Sequence, residues 1–223
     1  MSSNFATPLK LIGSIAAAGA LALTAVAAAP GDRYGSLQDK DAKTVAKVGE
    51  QAPNFTLTDL EGNEHTLTDV LADESVKAVV LEWYNPECPF VVKHHKLNTT
   101  MADIYAAHKD DGVRWMAINS GSPGKQGTGM ELNKRMAKEY NVQYPILMDE
   151  SGDVGRMYDA KTTPHMYVIN GDGTLVYAGA IDDNRSPRTL GETNYVADAL
   201  KSVLAGESVA TAQTRAYGCS VKY

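Results

Sequence analysis

The sequence WYNPECPFVVK at residues 83–93 decides the fold prediction, because it joins a strand pattern to a helix pattern through a cysteine. It overlaps the apolar run VKAVVLEWY at residues 76–84, which has the length of a strand buried on both faces. Pro89 stands where a helix could begin, since proline is favoured in the first helical turn. Cys88 is therefore predicted where a buried strand hands over to a helix, and the helical pattern continues toward His108.

This position favours a chemical role for Cys88. The free backbone N–H groups and the positive end of a helix dipole stabilise a thiolate relative to a thiol. A thiolate at the mouth of a rigid sheet can attack a disulfide or a peroxide oxygen. The alternative is a small buried core residue, which is what most unpaired cysteines are. The place between strand and helix favours the reactive cysteine.

Strand and helix patterns alternate on both sides of this turn. A hairpin is predicted at residues 55–67, with its turn near Gly62. The further predicted elements are strands at residues 113–119, 144–148, 165–170 and 174–180, and helices at residues 130–140, 152–158 and 194–204. This order predicts an α/β sandwich with a mixed sheet, in one domain and without internal repeats.

Composition excludes several classes of protein. The chain has 223 residues and a formal net charge of -6, which argues against a nucleic-acid partner. Its 2 cysteines are too few for a small fold held together by disulfides. Apart from the N-terminus, no segment is long and apolar enough to cross a bilayer, so a polytopic membrane protein is excluded.

The N-terminus predicts export. Residues 1–28 have the pattern of a signal peptide, with an uncharged Ala- and Leu-rich run and small residues before a cut after Ala27 or Ala28. The expected location is periplasmic or secreted, where disulfides persist; the alternative is an uncleaved membrane anchor. Residues 29–47 are predicted to be a flexible lead-in, residues 48–206 the domain, and residues 207–223 a tail.

Pro164 completes the pattern. It stands at the entrance to the predicted strand at residues 165–170, which makes the Thr163–Pro164 bond a candidate cis peptide. With residues 48–57 (VGEQAPNFTL), the turn around Cys88 and the segment at residues 171–182, these motifs resemble the thioredoxin fold. Within that fold, the chain resembles the alkyl hydroperoxide reductase/thiol-specific antioxidant family, nearest its peroxiredoxin-like members. The resemblance implies a mixed central sheet flanked by helices, with an N-terminal β-hairpin.

The resemblance also implies a site. Cys88 would be the redox-active nucleophile of an exported thiol oxidoreductase, acting on a peroxide or a protein disulfide with an unidentified thiol reductant. No cofactor is implied, and the oligomeric state is left open. The proline loop would hold an extended substrate against the sulfur, with His165 close by. The predicted substrate-binding residues around Cys88 are Asn85, Pro89, Thr163, Pro164 and His165.

Cys219 is the other half of the redox prediction. Val91 and Asn85 stand three residues after and before Cys88, so a dithiol within one helical turn is excluded. An oxidised Cys88 would need a partner thiol, and Cys219 in the tail is the only other cysteine in the chain. Three possibilities stay open for Cys219. It could be a catalytic resolving cysteine on a flexible arm bending at Gly218, part of a static disulfide with Cys88, or an inert or intermolecular thiol.

Other functions are weaker hypotheses. His94, His95 and His165 could bind a metal with Cys88, but paired histidines on a helix are more often exposed, and no metal is assigned. The loop GSPGKQGTG at residues 121–129 lacks the phosphate-binding order and is predicted to be a mobile rim of the cleft.

The acidic runs at residues 59–64 and 182–183 are interpreted as solvated turns. The alternative function is a non-catalytic thioredoxin-fold module that binds a partner or a metal, with Cys88 and Cys219 structural.

Overall fold

The buried strand predicted at residues 76–84 forms the strand Ala78–Trp83 near the middle of a seven-stranded sheet. The computed structural model describes residues 45–223, and the predicted signal peptide and most of the predicted lead-in lie outside them. The strands are β1 (Thr56–Asp59), β2 (Glu64–Thr66), β3 (Ala78–Trp83), β4 (Val113–Asn119), β5 (Ile146–Met148), β6 (Thr162–Thr163), β7 (His165–Asn170), β8 (Leu175–Gly179) and β9 (Cys219–Ser220). The helices are α1 (Leu67–Ala72), α2 (Pro89–Val92), a π-helical turn (Lys93–Leu97), α3 (Thr100–His108), α4 (Met130–Glu139), α5 (Asp153–Met157) and α6 (Tyr195–Leu204).

The main sheet is mixed, as predicted. Its strand order is β2-β1-β5-β4-β3-β7-β8, with β3 parallel to β4 and antiparallel to β7. The predicted hairpin forms from β1 and β2, and Gly62 in its turn has a φ of 91°. β6 and β9 form a separate two-stranded sheet.

The alternating side chains of β3 enter two different apolar clusters. Val80 packs with residues of α3 and α6, whereas Leu81 packs on the opposite face with Phe55, Tyr158 and other residues. Every residue of β3 is buried, so the strand is covered by helices on one face and by α1, α5 and their loops on the other. This double burial explains why the strand reads as an apolar run without alternation.

The prediction of one continuous helix from Pro89 to His108 is wrong, because the helix is interrupted. α2 passes into the π-helical turn, and Asn98 then adopts an extended backbone with φ -137° and ψ 158°. The Asn98 side chain donates to the carbonyl of Lys93 at 2.9 Å, which satisfies the end of that turn. Since asparagine competes for backbone groups in this way, the helix ends here and α3 begins anew at Thr100.

The expectation of a solvated turn is wrong for Asp59. Its carboxylate is 4% exposed and accepts hydrogen bonds from the backbone of Glu61 and Asn63, while His65 lies at 2.8 Å. Burial acts to raise the pKa of Asp59, but these hydrogen bonds, led by that of His65, outweigh it and hold the pKa at about 2. Asp59 therefore joins the two strands of the hairpin.

The tail is not a free arm. Val221 donates to the carbonyl of Lys161 at 3.2 Å, and the Tyr223 hydroxyl donates to the carbonyl of Ala160 at 2.9 Å. Thr214 donates to Ala178 at 3.1 Å. Several points along residues 207–223 are thus bound to the body of the domain. Within residues 45–223, no helix has the length and apolar character needed to cross a membrane.

Truncation of β3 tests the double burial of the sheet. Leu81→Ala should lower the free energy of unfolding by about 2–5 kcal/mol, because it leaves a cavity where Leu81 is 0% exposed. Leu97→Ala is the matched control, since Leu97 is 57% exposed, and it should change stability by no more than about 0.5 kcal/mol. Chemical denaturation followed by circular dichroism measures both. Equal losses in the two variants would contradict the packing described here.

Candidate active site

Cys88 lies at the junction that the sequence predicts. It follows β3 by five residues and is the N-cap of α2, with Pro89 as the first helical residue. The Cys88 backbone N–H donates to the carbonyl of Asn85 at 3.0 Å, which closes the connecting turn. The Cys88 side chain is 0% exposed. Strand end, turn and helix start together fix the direction of the sulfur.

The Cys88 thiol points at the proline loop. Its Sγ donates to the carbonyl oxygen of Thr163 at 2.8 Å. The Thr163–Pro164 peptide bond is cis, as predicted, and Thr163 is buried. The Thr163 carbonyl lies against the sulfur although Thr163 is 75 positions further along the chain.

Cys219 lies beside the same two groups. β9 pairs antiparallel with β6, so that Cys219 stands opposite Thr163 and Ser220 opposite Thr162. The side chain of Cys219 is hydrogen-bonded with Cys88. Both cysteines are free thiols. The two sulfurs therefore meet within one chain although 131 positions separate them, which is 219 minus 88.

The environment of Cys219 favours its protonated form. Burial is the largest cause, and the hydrogen bond and charge of Cys88 act in the same direction, against a smaller opposite effect of Lys222. Together they raise the pKa of the Cys219 thiol to about 12. In the reduced protein, Cys219 thus holds its proton at neutral pH.

Gly218 makes this approach possible. It has a φ of 147°, and a Cβ at this position would lie 2.1 Å from the Thr163 carbonyl oxygen. The expected role of Gly218 as a point of free bending is therefore replaced by a steric one. Only glycine lets the β9 backbone come close enough to pair with β6.

Asn85 organises the turn before Cys88. Its Oδ1 accepts from the backbone N–H of Glu87 at 2.9 Å, and its Nδ2 donates to the carbonyl of Gln126 at 3.0 Å. Glu87 in turn accepts from the backbone N–H of Gly127 at 2.8 Å. The Gly-rich loop thus borders the turn that carries Cys88, where a rim of the cleft is predicted. The direct effect of Asn85 on the thiolate stays a prediction, because its amide is bonded to backbone groups.

His165 lies on the far side of the proline. Its Nδ1 is 3.0 Å from the hydroxyl of Tyr167, and burial lowers the pKa of His165 to about 4, with Asp159 opposing this and Lys161 adding to it. His165 and Thr162 line a cavity of about 660 Å³ whose lining, among the described residues, includes neither cysteine. A direct role of His165 toward substrate stays a prediction.

His94 and His95, which follow Cys88 in the chain by six and seven residues, are buried and not exposed as expected. His95 Nε2 lies 2.7 Å from Glu82, and His94 Nε2 lies 3.0 Å from the hydroxyl of Tyr217. Burial, with the nearby Lys93 charge, lowers the pKa of His94 to about 3. The only sequence signal for burial is that His95 follows Val91 by four residues, which puts both on one helix face. Within residues 45–223, no cluster of three or more His, Cys, Asp or Glu could hold a metal ion.

Asp182 also departs from expectation. Instead of lying in a solvated turn it is 3% exposed, and its carboxylate accepts from the Nζ of buried Lys93 at 3.1 Å. Burial acts to raise the pKa of Asp182, but hydrogen bonds, led by that of Tyr217, lower it overall. Sequence reasoning assigns no role to Lys93 or Tyr217, because their pairing depends on the path of the tail.

A cysteine at a strand-to-helix junction, held against the carbonyl of the residue before a cis proline and with a second thiol beside it, defines a thioredoxin-fold redox protein. The model of the AhpC/TSA family matches residues 48–178, which is more than half of the chain, and the protein belongs to this family. The predicted family, the fold class and the enzyme class of thiol oxidoreductase are thereby confirmed.

Relatives agree with this assignment. The chain is 30% identical over 134 residues to the thiol-disulfide oxidoreductase ResA of Geobacillus thermodenitrificans, which covers 60% of this chain and 69% of that protein. A solved structure of an uncharacterized conserved protein from Geobacillus kaustophilus is 33% identical, with a TM-score of 0.71 over 79% of this chain and 92% of that one. A hypothetical protein from Sinorhizobium meliloti 1021 is 30% identical, with a TM-score of 0.69 over 81% and 96%.

The high pKa of Cys219 predicts its reactivity. Because the thiol keeps its proton until about pH 12, its alkylation by iodoacetamide should rise without a plateau from about pH 6 to about pH 10. The same cysteine in the guanidinium-unfolded chain is the control, and its rate should level off above about pH 8.5. Peptide mass spectrometry after quenching measures both. A plateau below about pH 9 in the folded protein would show that the thiol is not shielded by Cys88.

Gly218→Ala tests the close approach of β9 to β6. The added Cβ meets the Thr163 carbonyl, so the pairing should loosen and Cys219 should be alkylated faster than in the natural chain. Gly206→Ala is the matched control, because Gly206 also has a positive φ, of 71°, but has no atom within 4 Å of an added Cβ. If both variants leave Cys219 equally slow, the contact at Gly218 does not hold the tail.

Proposed function

We propose that this protein is an exported thiol-disulfide oxidoreductase whose redox centre is the pair Cys88 and Cys219. The observation that carries the proposal is the contact between the two thiols beside the Thr163 carbonyl. Family membership and the ResA relative support disulfide exchange. Export rests on the signal-peptide pattern at residues 1–28.

The exchange balances as two sulfur displacements. The Cys88 thiolate attacks one sulfur of a substrate disulfide, which forms a mixed disulfide and releases the other substrate sulfur as a thiolate. Cys219 loses its proton and attacks the Cys88 sulfur, which releases the second substrate thiolate and forms the Cys88–Cys219 disulfide. Two electrons pass from the protein dithiol to the substrate, and the two released thiolates take up the two protons. An external thiol reductant reverses the change in the protein.

Cys219 has two separate roles in the proposed scheme. In the dithiol form, burial and the interaction with Cys88 raise the pKa of Cys219, which makes its own sulfur a poor first nucleophile. In the mixed disulfide, its position beside Cys88 makes it the nearest thiol of the described chain for the second step. The proposed order of attack is therefore Cys88 first, from the helix N-terminus, and Cys219 second.

Access to Cys88 requires the tail to move. Cys88 is fully buried, and Thr163 is already paired with Cys219. An extended polypeptide can reach the proline loop only after the two residue pairs between β6 and β9 separate. This opening breaks the short β6–β9 pairing together with the adjacent bond from Val221 to the carbonyl of Lys161.

Insulin reduction tests the proposal. With dithiothreitol as the reductant, the natural protein should accelerate the reduction of insulin disulfides. Cys88→Ser should abolish this acceleration, because the first nucleophile is lost. In a separate incubation without dithiothreitol, pre-reduced Cys219→Ser should accumulate a Cys88–insulin mixed disulfide, which non-reducing electrophoresis detects.

Consumption of hydrogen peroxide tests the alternative that the protein is a peroxidase. Consumption of peroxide that depends on Cys88, without any acceleration of insulin reduction, would contradict disulfide exchange and identify a peroxidase. Inactivity in both assays, with no Cys88–Cys219 disulfide formed on oxidation, would identify a non-catalytic binding module.

A further inference from the structure

A buried ionic network lies beside the two cysteines, and the exchange steps make no use of it. The Lys93 side chain is 0% exposed and its Nζ donates to Asp182, to the carbonyl of Asn184 at 2.7 Å and to the Tyr217 hydroxyl at 3.0 Å. All three ammonium hydrogens therefore have a partner. Breaking one arm of a buried, paired charge is costly, because the charge left behind cannot be hydrated.

The network joins the two segments that carry the sulfurs. Lys93 follows Cys88 by five residues, at the start of the π-helical turn that continues α2. Tyr217 precedes Cys219 by two residues, just before β9. The distance between Lys93 and Tyr217 thus sets how the tail lies relative to the helix that begins at Cys88.

Tyr217 is held from several directions. Its hydroxyl donates to Asp182 and lies 3.0 Å from His94 Nε2, and its ring contacts Phe90 with centroids 5.7 Å apart. The Tyr217 side chain is buried. The network of Lys93, Asp182 and Tyr217 therefore lies in the protein interior and is not a surface contact that exchanges with water.

Asp182 supplies the negative charge of this network. Its carboxylate also accepts from the backbone N–H groups of Asn184 at 3.1 Å and Gly191 at 2.8 Å. These bonds fix the carboxylate from the loop after β8, while its hydrogen bonds lower its pKa overall. The anionic group therefore persists at neutral pH and can hold both Lys93 and Tyr217.

We propose that Tyr217 is a positioning residue that holds Cys219 within attacking distance of Cys88 through its hydroxyl bonds to Lys93 and Asp182. This inference rests on the proposed disulfide exchange. The second displacement is an intramolecular reaction, and its rate depends on how tightly the attacking thiol is confined near the sulfur it attacks. Without the hydroxyl, the segment before β9 loses its bonds to Lys93 and Asp182, whereas β9 and the residues after it keep their bonds to the domain.

Tyr217→Phe removes the hydroxyl and keeps the ring that contacts Phe90. Equilibration of the Cys88–Cys219 pair with reduced and oxidised glutathione gives the effective concentration of Cys219 at Cys88. The variant should lower this value by roughly tenfold or more, because the tail is less confined. Tyr158→Phe is the matched control, since it removes a buried tyrosine hydroxyl that donates to the carbonyl of Pro53 at 2.6 Å and makes no bond to Lys93 or Asp182, and it should leave the value unchanged.

A kinetic readout separates positioning from a general loss of stability. In the Cys219→Ser background, adding Tyr217→Phe should leave the attack of Cys88 on a model disulfide unchanged or faster, because that step needs no confinement of the tail. In the chain with both cysteines, the same substitution should slow closure of the Cys88–Cys219 disulfide. Slower attack in the Cys219→Ser background would instead indicate damage to Cys88 and would overturn the inference.

Two outcomes distinguish this inference from the function on which it rests. If the natural protein forms no Cys88–Cys219 disulfide with glutathione, the proposed function fails. If it forms the disulfide and Tyr217→Phe has the same effective concentration, only the positioning role fails. Should Tyr217→Phe not fold, by circular dichroism, Asp182→Asn decides: it keeps an acceptor oxygen but removes the charge, and an unchanged effective concentration would overturn the inference.

Discussion

The contact of the Cys88 thiol with the Thr163 carbonyl is the interaction on which the site depends. It brings the end of β3 and the start of α2 against the cis-proline loop, and it gives a buried sulfur a hydrogen-bond partner. The same loop offers the edge on which β9 pairs, so that the carbonyl also determines where Cys219 can lie. If this loop were displaced, both cysteines would lose the residue, Thr163, that positions them.

Two polar structures stabilise the path of the chain around that contact. On one side, Asn85 and Glu87 bind the Gly-rich loop to the turn before Cys88. On the other side, Lys93, Asp182 and Tyr217 bind the tail to the helix after Cys88. Asn85, Lys93, Asp182 and Tyr217 are buried and Glu87 is exposed; buried polar groups with satisfied hydrogen bonds specify one arrangement more sharply than apolar packing alone. The chain segments before and after Cys88 are thus both held in place by hydrogen bonds.

Reduced and oxidised states place different demands on this arrangement. With both thiols reduced, Cys88 is sheltered and Cys219 is protonated, which suits a resting state that resists unwanted oxidation. In the proposed exchange, the short β6–β9 sheet opens to admit substrate and then closes again. β9 pairs with β6 over only two residues, whereas Tyr217, two residues before Cys219, is held by buried bonds to Lys93 and Asp182. β9 can therefore open while the segment before it stays in place and guides its return.

Periodicity and turn residues were sufficient for most of the fold. β4 and β7 have the predicted bounds, and Cys88 lies at the predicted junction, since burial pattern and proline placement are local properties of the sequence. The break at Asn98 and the burial of His94, His95 and Asp182 needed the tertiary structure, because each depends on a partner far along the chain or on a competing side-chain bond. The sequence by itself determined that Cys88 lies at the junction between a buried strand and a helix. Only the folded tail, with Gly218 against Thr163, decided that the second cysteine meets it, because a contact across 131 positions leaves no periodic trace.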